Sequence, residues 1–140
     1  MKILKNKLLL AAIIALTMIV TAIPVFAEPN NVPYSFHLRG KENVYLPSGE
    51  SRYRQTVNTN NRWKVEMEHI FNDKDGVATY WIARNADHQQ VSGAHDVHAG
   101  TGPHLYSAYS SASQTWVVLA ADNNNDVPAD VDGVWDEEIN

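Results

Sequence analysis

A chain of 140 residues with 16 Asp+Glu, 11 Lys+Arg and no cysteine has room for one domain, and it can form neither a disulfide nor a thiolate metal centre. Its formal charge of −5 argues against nucleic acid or an anionic lipid surface as a partner of the folded state, because both would repel it. Stability therefore has to come mainly from packing.

The first 27 residues read as a secretory signal peptide. Lys2, Lys5 and Lys7 form a basic start, Leu8 to Val20 is apolar, Pro24 breaks the helix, and Val25-Phe26-Ala27 offers small residues for cleavage after Ala27. The rival is an uncleaved anchor, since the apolar run approaches the roughly 20 residues a membrane span needs. Cleavage would leave one domain, residues 28–140, with no stable span and an extracellular address. Only lysines among the charged residues would be lost, so 16 acidic groups would face 8 basic ones.

Glu28 to Asn31 is a loose lead-in. Val32, Tyr34, Phe36 and Leu38 then alternate with polar neighbours, a half-buried strand that Pro33 confines to a sheet edge. Val44-Tyr45-Leu46 offers a brief pairing within a polar loop. In Arg52 to Val57, Tyr53, Gln55 and Val57 oppose Arg52, Arg54 and Thr56. The strongest periodicity runs from Trp63 to Ala83, which reads as a hairpin. Trp63, Val65, Met67 and Phe71 share one face and Lys64, Glu66 and Glu68 the other, so strict alternation turns His69 inward and Ile70 outward. Asn72 to Gly76 supplies the turn. Val77 to Ala83 is almost wholly apolar, as in a strand covered on both sides.

Beyond Ala83, Arg84 to Gln90 is a connection, and Val91 starts a weak strand that Gly93 interrupts. Ala99 to Pro103 is a loop, and Leu105 to Ser113 a short irregular or helical segment. Thr115 to Ala121 is a second buried strand, Asp122 to Asp126 a turn, and the tail with Val131, Val134 and Trp135 a last short strand. Strands about every ten residues, without an amphipathic helix, predict an all-β fold, a small antiparallel β-sandwich. The four tryptophans suggest a shared aromatic core.

Four kinds of chemistry are worth testing. His95, His98 and His104 are candidate metal ligands, although a spacing of three on an extended strand sends His95 and His98 to opposite faces. The plainer reading is a solvated polar loop. Tyr106 and Tyr109, with Tyr45 and Tyr53, could stack on a sugar ring or serve as caps on the core. Asp122 to Asp126, with Asp130 and Asp132, offers oxygen ligands for calcium, but Val127 stands where an EF-hand loop needs glycine. Glu66 and Glu68 form a solvent-facing charged surface. No Gly-x-Ser-x-Gly elbow and no cysteine are present, so no enzyme and no cofactor are expected.

Tyr53-Arg54-Gln55-Thr56, Asn58 to Trp63, Val91-Ser92-Gly93-Ala94-His95, Tyr106 to Ser113 and Gly133-Val134-Trp135-Asp136-Glu137-Glu138 together resemble a group of small exported proteins of Gram-positive bacteria, grouped as a domain of unknown function. A more distant likeness is to lactococcin-type bacteriocins, which are basic where this chain is acidic. The resemblance implies a secreted, non-enzymatic protein of bacteriocin-like effector type. The alternative is an extracellular glycan- or protein-binding or structural module. In either case the partner would be a protein or a component of the cell envelope.

Overall fold

The computed structural model describes residues 30–139, and the expected signal peptide lies outside them. In chain order the strands are β1 (Val32–Leu38), β2 (Val44–Tyr45), β3 (Arg52–Arg54), β4 (Trp63–Phe71), β5 (Val77–Arg84), β6 (His95–His98), β7 (His104–Tyr106), β8 (Thr115–Asp122) and β9 (Ala129–Asp136). They form two packed antiparallel sheets, the sandwich expected from the alternation. One sheet has the order β1-β9-β4-β7. The other runs β2-β8-β5-β6, with β3 also paired to β8. Among the described residues no helix is long and apolar enough to cross a membrane.

Period two places the core. Tyr34, Phe36 and Leu38 of β1, Trp63, Val65 and Met67 of β4, and Trp135 of β9 are buried, and they meet Tyr80, Ile82, Val117 and Leu119 of the other sheet. The layers are also tied by a polar contact, since the Tyr34 and Tyr80 hydroxyls bond at 3.0 Å. Burial raises the pKa of both phenols above the ordinary range, so they remain neutral donors and acceptors. β1 is an edge strand, as expected where Pro33 has no amide hydrogen to give a ladder. Tyr80 to Ala83 of β5 is buried on both faces.

Several expectations are corrected. The tail is not a short strand: β9 is eight residues long and lies between β1 and β4. Leu105 to Ser113 divides into β7 and a single 3-10 turn at Ser110–Ala112. Trp63, Trp81 and Trp135 join the core, whereas Trp116 is 50% exposed beside Tyr53, at a ring distance of 5.5 Å.

The end of β4 departs from alternation. Its register against β9 slips between Met67 and His69, because Glu68 is an extra residue in the ladder. Beyond this bulge the faces exchange. His69 points out, Ile70 packs against the core and Phe71 is exposed, the reverse of the expected order.

On β3 the arginines form the buried face. Arg52 and Arg54 are 6% and 1% exposed, and Glu137, which meets both, arrives from the end of the chain. Arg52 grips the Glu137 side chain through Nε and Nη2, and Arg54 donates to the carbonyls of Glu137 and Asn61. Glu138 accepts the Gln55 and Thr56 amides, each at 3.0 Å. Buried guanidinium groups are tolerated only when paired in this way.

Candidate functional site

One face carries an open groove of about 550 Å³ whose lining includes His37, Arg39, Glu42, Tyr45, Pro47 and His88. Tyr45 is held by β2, which pairs with Ala120 and Ala121 of β8. Leu46, buried at 3% exposure, extends this pairing by donating to the Leu119 carbonyl at 3.0 Å. The Tyr45 and Trp81 rings make a T-shaped pair, 6.3 Å apart at 88°. On one of its faces lies His88, with the rings 4.1 Å apart and 5° from parallel.

His88 is positioned by a loop closed at both ends. Arg84 donates to Asp87 through Nε at 2.9 Å and Nη2 at 2.6 Å, while the Arg84 amide bonds Gln89 and the His88 amide bonds Arg84. The Arg84 contact holds the Asp87 carboxyl at about 2, well below the usual range. His88 takes φ +55° to fit this loop, so an exposed imidazole is set onto a half-buried phenol. The result is a stacked ring pair in a groove also lined by Arg39 and Glu42, and an outer ring face there suits a ligand with a flat face and hydroxyl or amide edges.

Of the residues singled out in the sequence, His95, His98, His104, Tyr106 and Tyr109 lie away from this groove. His95 stacks on Tyr106 at 3.7 Å and 1°, against the buried Trp63 ring. A Cβ on Gly93 would come within 2.9 Å of the His95 ring, so the missing side chain leaves the imidazole its place. Burial lowers the His95 pKa and raises that of Tyr106. Tyr106 is half-buried, with His95 on one face, and Tyr109 is 52% exposed. On β6, His95 is half-buried and His98 exposed, as the spacing of three requires. Thr101 donates to the His98 carbonyl at 2.7 Å, which leaves His104 Nε2 to donate to Thr101 Oγ1 at 2.8 Å. His95 and His104 both lie against Tyr106, and among the described residues the three imidazoles do not come together as a metal-ligating group. In the Asp122 to Asp126 turn the side chains cap backbone amides or meet Lys41, Asp73 and Thr79.

A small antiparallel β-sandwich with a ring-floored groove at one side of a sheet is therefore the class that fold and site define. The chain belongs to the family described as Protein of unknown function (DUF2712), which matches residues 21–139. No curated protein and no solved structure matches it. Tyr45 and His88 were visible in the sequence only as one loop tyrosine and one loop histidine; nothing in their spacing, 43 positions apart, signals that they meet.

Proposed function

We propose that this family member is an exported, non-enzymatic binding protein whose groove takes a polar polymer of the cell envelope, such as a wall glycan. The observation that carries this reading is the Tyr45–His88 ring pair, stacked at 4.1 Å beside Arg39 and Glu42. Stacked rings supply apolar area to the flat side of a sugar, and the flanking charges supply donors and acceptors to its rim. The signal-like start of the chain supports export, and its acidic surface favours a neutral or basic ligand.

The test is retention of the full chain on insoluble peptidoglycan and on neutral polysaccharide. Binding to either, weakened at least about tenfold by Tyr45→Ala and left unchanged by Tyr109→Ala, supports the groove. Loss with Tyr109→Ala alone, or no retention on any envelope polymer, defeats it. The same acidic, exported chain also suits an effector that acts on a protein target, as the bacteriocin-like resemblance implies. Inhibition of other strains by the purified chain would favour that second reading.

A further inference from the structure

We propose that Glu68, His69 and Asp132 form a binding site for a divalent transition-metal ion, zinc suiting the donor set, on the solvent face of the four-stranded sheet. One donor atom from each side chain lies within 4.8 Å of the other two. Ligands about 2.0–2.1 Å from a tetrahedral zinc stand roughly 3.3 Å apart, so exposed side chains need only small rotations to close around an ion.

The backbone accounts for the convergence. Strict alternation would put Glu68 and His69 on opposite faces of β4, whereas the bulge turns both outward. Opposite His69 on the central strand lies Asp132, so the third ligand comes from the best-supported strand of the sheet. His69 is further steadied by the Phe71 ring, 5.9 Å away at 22°. A site built on strands is held more closely than one built on a loop.

Charge and chemistry agree with this placement. Two carboxylates stand together, and among the described residues neither Glu68 nor Asp132 pairs with a lysine or arginine. The His69 imidazole meets Asp132, with Nδ1 2.7 Å from Oδ1. That separation is a hydrogen bond, shorter than the spacing of two ligands on one ion. Zinc would replace the shared proton, moving it in a neutral imidazole from Nδ1 to Nε2. An imidazole among the ligands disfavours calcium and magnesium, which take oxygen. Three protein ligands also leave a coordination position open to water or to a donor from a partner. The sheet carries its own comparison: His37 and Asp130 make the same 2.7 Å contact on the same face, without a third ligand.

Zinc titrated calorimetrically into the full chain should bind with one strong site per molecule, and ring nitrogen spectra should shift for His69. His69→Ala and Asp132→Asn should each weaken that site at least about tenfold, and the near-isosteric Glu68→Gln should weaken it too. His37→Ala should leave it intact. Glu68 and His69 are exposed, so unchanged circular dichroism will confirm that their variants fold. Absence of a strong site would overturn the proposal. So would a site that survives both His69→Ala and Asp132→Asn, or one whose spectral shifts fall on His95, His98 or His104.

Discussion

A Cβ placed on Gly133 would lie 1.9 Å from the carbonyl oxygen of Glu66 on the neighbouring strand. The absence of a side chain is what lets β9 approach β4 just before the bulge, where the Tyr34 hydroxyl also closes in to 3.0 Å. Gly133→Ala should therefore force the backbones apart and destabilise the fold by about 1–3 kcal/mol or more. Urea denaturation measures this, with Gly49→Ala as the control, since a Cβ there meets nothing within 4 Å. Equal stability of the two variants would show that the ladder yields without cost at Gly133.

What the sequence made legible follows from the range of the interactions involved. The faces of β1, and of β4 as far as Met67, depend on each residue's own alternation, and they came out as read. The bulge at Glu68 depends on what β9 offers opposite, and nothing local to Met67-Glu68-His69 announces it. The buried arginines of β3 were illegible for the same reason. Arg52 reads as a solvent residue until Glu137, 85 positions later, is known to lie against it. The groove and the three-ligand cluster inherit this limit. Tyr45 meets His88 across a loop closure, and Glu68 and His69 meet Asp132 across a strand pairing.

The Glu138 carboxylate anchors the chain that follows β3. It is 5% exposed and accepts the Gln55 and Thr56 amides, with the Asn61 side chain at 3.3 Å. Glu138→Ala leaves those donors without their acceptor and should cost about 3 kcal/mol. Amide hydrogen exchange should quicken at Gln55 and Thr56 well before it does in β5. A uniform rise in exchange across both sheets would instead indicate global weakening and count against a local anchor.

Burial pushes the Glu137 carboxyl up to about 7, with Arg52 restraining the rise. The unfolded chain releases this proton near the ordinary glutamate value of about 4.5, while the folded chain retains it until near 7. Between those limits the native state binds more protons, so this group's contribution to stability is full at the acid end and declines as pH rises. Glu137→Gln removes the titration. The urea midpoint of the wild type minus that of the variant should fall from pH 4.5 to 7 and then level. A flat difference would exclude Glu137 as the source.

His88 offers a way to separate the groove's rings from the scaffold beneath them. Its φ of +55° lies in the left-handed region, which glycine adopts without strain and a β-branched residue resists. His88→Gly should keep the Arg84–Asp87 loop and change stability by less than about 0.5 kcal/mol, while stripping one ring from Tyr45. His88→Val should strain the same turn by about 1–2 kcal/mol. Melting curves of the two variants test the backbone claim, and retention on envelope polymer tests the ring. If His88→Gly melts with the wild type yet binds polymer several-fold less, the imidazole acts through the ligand and not through the fold. Retention equal to the wild type would leave Tyr45 alone as the floor of the groove.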